Sequence, residues 1–280
     1  MGFIPTASIM PNPSARHTKL PTGASPVKGV FSIDSDHFLG KKSLGRITQR
    51  VFVYAEEEEE GRLSLQTLSR NFIPAGPKRI IAKDRLLTDY LPEPSIYINK
   101  VVPVMGRMQQ SLTLGDQHRQ KLELFSAEFE YKNVLRLDEE HVKATFGLGL
   151  TYLERQEVRS ANIVFRKIMM LDAAFQPEHK HLFNEFGIKM RKLGMYDEAI
   201  QYYIRAFRLC RTDEHLLYNI ARTLYEKGRI KSARMMLARS LRLNPEFREA
   251  MAFMAYLESR ERDGAPARPP FEGRAGSLTE

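Results

Sequence analysis

The sequence predicts a mainly α protein, a solenoid of stacked helix pairs with a C-terminal capping helix, preceded by a small module that is either mixed α+β or extended. Three observations carry this expectation. From Asp116 onward, apolar residues fall at helical spacing in long stretches, separated by short breaks marked with Gly or Asn-Pro. Small and aromatic residues recur together in those stretches at an offset of about 34 residues. Before Asp116 this texture is absent, and short β-branched runs alternate with turn residues. The expected organisation is a disordered segment at residues 1–29, the small module at 30–115, the solenoid at 116–262 and a disordered tail at 263–280.

Within the small module, Arg46 to Tyr54 reads as a strand because Ile47, Val51, Phe52, Val53 and Tyr54 are β-branched or aromatic. The acidic run Glu56–Glu60 ends at Gly61, and Leu63 and Leu65 then alternate with polar residues, which makes a hairpin with a charged turn. That run is a solvated loop and not a metal site, since adjacent carboxylates point in different directions. Lys78 to Leu91 suggests a short helix stopped by Pro92 and Pro94, and Ser95 to Val102 suggests another strand. Asp34, Asp36 and His37 look like turn residues. The pattern leaves open whether residues 30–115 form a compact module or an extended segment docked on the solenoid.

The repeat becomes visible when residues 190–209 are laid over 224–243. Gly194 then falls on Gly228, Ala199 on Ala233, Tyr203 on Leu237 and Ala206 on Ser240. One repeat earlier, Gly149, Tyr152, Ala161 and Phe165 take the same places once a small insertion near residues 175–178 is allowed. A degenerate unit precedes it at Leu114, Gly115, Ala127 and Tyr131, with a convincing second helix and a poor first one. Small residues let two helices approach closely while large ones fill the space opposite. Glycines at 194 and 228 end helices in a left-handed conformation at little cost. Each pair leaves an apolar face uncovered, so stacking is what makes the array stable.

This arrangement resembles the tetratricopeptide-repeat family. Its pattern of Leu-Gly, Tyr, Ala, an aromatic residue and Ala is carried by Leu148, Gly149, Tyr152, Ala161 and Phe165 in the first clear repeat, where Ile168 departs from the second Ala. The second repeat carries Phe186, Gly187, Met190, Ala199, Tyr203 and Ala206, and the third Ile220, Ala221, Leu224, Ala233, Leu237 and Ser240, with Pro245 closing it. The segment after Pro245 is the cap. The resemblance covers about residues 116–262 and implies a protein-binding scaffold whose first helices, one from each repeat, line a concave groove. Carried over by position, the groove residues are Lys143, Phe146, Leu150 and Leu153, then His181, Asn184, Ile188, Arg191 and Lys192, then His215, Tyr218, Arg222, Tyr225 and, from the cap, Tyr256. This mixture suits a protein or peptide with apolar and acidic residues, the apolar anchors supplying affinity and the charges register. The cationic clamp for a terminal carboxylate found in some family members is not carried: its positions hold Phe146, Leu150, Glu249 and Phe253, and Asn219 alone has a matching type.

A second surface is basic. Arg205, Arg208, Arg229, Arg234, Arg239 and Arg242 fall largely at spacings of three and four on the later helices. The formal net charge of +9 likewise favours acidic partners, whether protein, nucleic acid or anionic lipid, without choosing among them. No catalytic motif, nucleotide-binding glycine loop or cofactor fingerprint is present, and His181 with Glu185 is a surface pair lacking a third metal ligand. The expected function is therefore a non-enzymatic adaptor or scaffold without cofactor or metal, with the N-terminal region adding specificity or gating the groove. Alternatives are a dedicated chaperone for a secreted or aggregation-prone client, and a nucleic-acid-associated protein using the basic face. Cys210 is the only cysteine, which rules out an intrachain disulfide. With neither a secretory signal nor an apolar run long enough to span a bilayer, a cytoplasmic location is expected.

Overall fold

The computed structural model describes residues 26–38, 46–58 and 62–263. The expected disordered tail, most of the expected disordered N-terminal segment and the tip of the acidic turn lie outside these residues. The chain divides into two compact units after Lys100.

The first unit is an antiparallel five-stranded sheet followed by short helical pieces. Its strands are β1 (Lys28–Phe38), β2 (Arg46–Glu57), β3 (Leu63–Leu68), β4 (Pro74–Ile81) and the two-residue β5 (Leu91–Pro92), in the order β4-β3-β2-β1-β5. Alternation in β2 and β3 puts Val53, Ala55, Leu63 and Leu65 on one face, where Leu86 of α1 (Lys83–Asp89) completes a small core. Lys28 and Glu56 are register partners across β1 and β2 and form an ion pair at 2.8 Å.

Four sequence expectations change here. Lys28 and Gly29 belong to β1 and not to a disordered segment. Asp34, Asp36 and His37 lie within β1, where pairing to Arg50, Thr48 and Ile47 makes them strand and not turn. Lys78–Ile81 extends β4, paired through Ile80 and Ile81 to Ser64 and Leu63, so the helix begins only at Lys83. The supposed strand at 95–102 is helical: α2 (Pro94–Ile96) opens with Pro in its first turn, and a π-helical turn follows at Tyr97–Val101. A short apolar run with no clear period does not separate strand from helix.

The second unit is a run of antiparallel helix pairs. These are α3 (Val102–Gln120) with α4 (Leu124–Leu137), α5 (Val142–Glu154) with α6 (Val158–Met170), α7 (Lys180–Lys192) with α8 (Tyr196–Leu209), and α9 (Glu214–Glu226) with α10 (Ile230–Leu243). The cap α11 (Arg248–Asp263) packs on the last pair. The solenoid thus starts well before Asp116, because α3 is the missing first helix of the degenerate repeat. The insertion in the first repeat forms two 3₁₀ turns, Asp172–Phe175 and Pro177–His179. Phe175 from the first of them stands 5.7 Å from the rings of both Phe183 and Tyr202.

Small-against-large packing works across repeats as well as within them. A β-carbon on Gly187 would sit 2.5 Å from the Tyr203 ring of its own repeat. One on Gly149 would meet Val164 of its own repeat at 3.0 Å and Phe186 of the next at 2.7 Å. The break inside each pair repeats one hydrogen-bond pattern. Met195 N–H donates to Met190 O at 3.0 Å and Arg229 N–H to Leu224 O at 2.8 Å, around Gly194 and Gly228 at φ 75° and 83°. Leu122 and Gln156 hold the same place in the earlier repeats at φ 61° and 59°, without the freedom of glycine.

Candidate partner-binding surface

The first helices of the repeats, α3, α5, α7 and α9, are tied together by side chains one or two repeats apart. Arg119 of α3 donates to Glu154 of α5 at 3.1 Å and to Glu185 of α7 at 2.9 Å, and Lys189 reaches Glu154 at 2.6 Å. Arg191 of α7, itself buried, pairs with Glu226 of α9. Arg260 of α11 donates to the Tyr225 hydroxyl at 2.9 Å. Arg119–Glu154, Arg191–Glu226 and Tyr225–Arg260 are each separated by 35 residues in sequence. The sequence reading passed over Arg119, Glu154, Lys189, Glu226 and Arg260, and it paired Glu185 with His181 where the structure gives Glu185 to Arg119. The signal was present as charged and hydroxyl groups recurring at one repeat length plus one.

The structure divides the expected groove residues into two groups. Phe146, Leu150 and Leu153 are buried in the main core of the unit, where Phe146 stands edge-on to Phe186 of α7 with centroids 5.9 Å apart. They hold repeats together and offer no surface to a partner. Arg191 is likewise committed to Glu226. Lys143 is exposed beside a cavity of about 370 Å³ that Asp138, His141 and His179 also line. Burial lowers the proton affinity of both histidines, and His141 Nδ1 accepts the Ala144 N–H at 3.2 Å as the cap of α5.

Of the remaining positions, Tyr256 of the cap is buried and the others stay open to solvent in part. His181 and Lys192 are exposed and Ile188 is half-buried on α7. Asn184 is also half-buried, yet its Oδ1 atom is fully covered and has no hydrogen-bond partner among the described residues. On α9, Tyr218 lies 5.2 Å from Phe247 and 6.2 Å from Phe253 of the cap region, and the Arg222 guanidinium lies 5.9 Å from the Tyr218 ring. Burial and the neighbouring Arg191 both make Arg222 harder to keep charged. Tyr225 packs edge-on to Phe253 at 5.4 Å and shares a 2.8 Å hydroxyl contact with the buried Tyr256. Burial and that contact push the Tyr225 hydroxyl up to about 12. His215 packs on Phe247 at 4.6 Å.

Asp213 caps α9 and also binds Lys180 of α7 at 2.9 Å. Burial opposes its ionisation, but hydrogen bonding with His215 and Lys180 outweighs this and holds the carboxyl well below its usual range. The Asp213 contact in turn raises the proton affinity of His215. Asp213, Glu214 and His215 lie close enough to share an ion. Their oxygens are, however, engaged by Lys180, the His215 N–H and Asn244.

Residues 184–246 match the family model described as tetratricopeptide repeat. This segment is a tetratricopeptide-repeat array. Among solved structures, PilF of Pseudomonas aeruginosa is similar at 21% identity over 56% of this chain and 70% of its own, with a TM-score of 0.43. MamA of Desulfovibrio magneticus RS-1 is similar at 14% identity over 56% and 86%, with a TM-score of 0.44. No curated protein matches the chain. Tetratricopeptide repeats are protein-interaction modules, and protein binding is the class of function the array implies.

The expected basic patch is partly engaged within the array. Arg205 binds Asp172 at 2.6 Å, Arg234 binds Glu261 at 2.5 Å, and Arg239 lies over Phe207 at 4.8 Å. Arg208, Arg229 and Arg242 are exposed and form no ion pair among the described residues. No described helix is long and apolar enough to cross a membrane.

Proposed function

We propose that the α7 and α9 side of the array, completed by α11, holds a segment of a partner protein that carries apolar and acidic side chains. The observation that carries the reading is the half-open row of Asn184 and Ile188 on α7 with Tyr218 and Arg222 on α9, left over once the apolar first-helix residues of the first repeat are spent on packing. Half-buried Asn184 offers a polar contact to the backbone of an extended partner. Around it, Ile188 and Tyr218 give apolar contact, while Lys192 and Arg222 set the sign of the partner's charges. The first repeat contributes stiffness instead of contact, because its apolar first-helix residues are spent on packing. The scaffold acts without chemistry of its own: it fixes one segment in place and leaves the rest of the partner free.

The test uses a partner captured with the full chain and then measured in purified form by calorimetry. Asn184→Ala and Ile188→Asp are expected to weaken binding by about 1–3 kcal/mol each, and Tyr218→Ala by about 2 kcal/mol or more. Unchanged far-ultraviolet circular dichroism checks that the repeats remain folded. A partner bound with full affinity by all three variants refutes the reading.

A further inference from the structure

The second helices of the repeats, α4, α6, α8 and α10, carry a feature that the partner-binding reading leaves unused. Phe129, Ile163, Gln201 and Met235 occupy one repeat position, two residues before Tyr131, Phe165, Tyr203 and Leu237. Those last four point inward and are buried. The three apolar residues of the outer row are 58%, 71% and 62% exposed, and Met170 on the same side of α6 is 84% exposed. Single exposed apolar side chains are ordinary on a protein surface, and it is their setting among cations that sets these apart.

Their neighbours at helical spacing are cations. Ile163 is flanked by Arg159, Arg166 and Lys167, and Met235 by Lys231, Arg239 and Arg242. Neither α6 nor α10 contains a single Asp or Glu. Arg159, Arg166, Lys167, Lys231 and Arg242 form no ion pair among the described residues. α6 and α10 are therefore positive and studded with apolar tips, and α8 between them in the chain adds Arg205 and Arg208 along with Asp197 and Glu198.

We infer that the α6 and α10 side of the array docks on the surface of an anionic lipid bilayer, with Ile163, Met170 and Met235 entering the headgroup boundary and the arginines and lysines meeting lipid phosphates and carboxylates. Charge complementarity restricts the occupant to something acidic. The apolar tips gain nothing from a phosphodiester backbone, which argues against nucleic acid. A protein partner takes its affinity from anchors seated in shaped pockets. The cavity of about 370 Å³ in this unit is lined by none of these side chains. A bilayer surface is deformable and needs no pocket to receive isolated apolar groups between cations.

Flotation of the full chain with phosphatidylserine–phosphatidylcholine vesicles, against phosphatidylcholine alone, at about 0.15 M salt tests this. Binding is expected to the anionic vesicles only. Ile163→Ser combined with Met235→Ser is expected to lower partitioning about tenfold, and Arg166→Glu with Arg242→Glu to abolish it. The same charge reversal at exposed Arg107 and Lys121, at α3, is expected to leave it unchanged. The inference is overturned if anionic and neutral vesicles bind alike, or if neither binds. It is equally overturned if the serine pair has no effect, if Arg107→Glu with Lys121→Glu weakens binding as much, or if random duplex DNA is bound in preference with no loss in the serine pair.

Discussion

Gln156 and Leu122 sit in left-handed backbone that the later repeats give to Gly194 and Gly228. An L side chain there costs roughly 1–2 kcal/mol, part of which glycine returns as extra freedom in the unfolded chain. Gln156→Gly is therefore expected to raise stability by about 0.5–1 kcal/mol in urea melts, where the corresponding Gly194→Ala lowers it by at least as much. The family pattern made Gly194 and Gly228 legible in the sequence, whereas nothing about Gln156 as a residue type announces its backbone. Asp213 gives a pH prediction at the same scale. Its folded-state proton affinity is lowered, so its contribution is present above about pH 4 and lost as pH falls through the folded value. His215 is shifted upward, so its contribution is complete below about pH 6.5 and lost as pH rises through the folded value. The stability difference between wild type and Asp213→Asn is expected to peak near pH 5 and shrink toward pH 3 and pH 8, as read from denaturation midpoints. A difference that keeps growing above pH 7 contradicts the assignment.

At the scale of elements, α3 decides where the solenoid begins. Tyr131 of α4 fits against Gly115 of α3 and Gly147 of α5, and its hydroxyl donates to Asp116 at 2.6 Å. A chain starting at residue 116 removes most of α3 and uncovers Tyr131, Ala127 and Leu112's former contacts, while a chain starting at residue 101 keeps them. The longer of these two is expected to melt as a single cooperative transition, and the shorter to lose several kcal/mol and show early fraying of α4 by hydrogen exchange. The helix escaped sequence reading for a physical reason. Only Leu112 and Gly115 of α3 are buried, and its remaining apolar residues trace no continuous stripe. The clear repeats were legible because α8 and α9 each bury a periodic face. The same limit explains the groove. Family position placed Phe146, Leu150 and Leu153 on its surface, but an apolar residue suits a groove and a core equally, and α7 packs its aromatic Phe186 against α5.

For the solenoid unit as a whole, stability is a chain of neighbour contacts with no single centre. The cap closes that chain: Phe253 is fully buried among Tyr218, Tyr225 and Tyr256. Phe253→Ala is expected to cost about 3–5 kcal/mol locally. Hydrogen exchange should rise in α9, α10 and α11 and leave α5 and α6 protected. Uniform loss of protection across all repeats would show that the array melts as one body. The positive balance of the chain also acts at this scale, since +9 over 280 residues favours encounter with acidic surfaces at either side of the array. The two candidate surfaces lie on different helices of each pair, α7 and α9 for the partner segment, α6 and α10 for the lipid. Substitutions on one are expected to leave the other unaltered.

The chain has no tryptophan, while Tyr131 of α4 and Tyr202 and Tyr203 of α8 are fully buried. Burial holds all three phenols protonated far above the range of a solvated tyrosine near pH 10. Their ionisation is thereby locked to exposure, and the phenolate ultraviolet band becomes a clock for opening. After a jump to alkaline solution, the solvent-facing phenols change colour at once, and each later step in absorbance times the parting of one stretch of the stack from its neighbours.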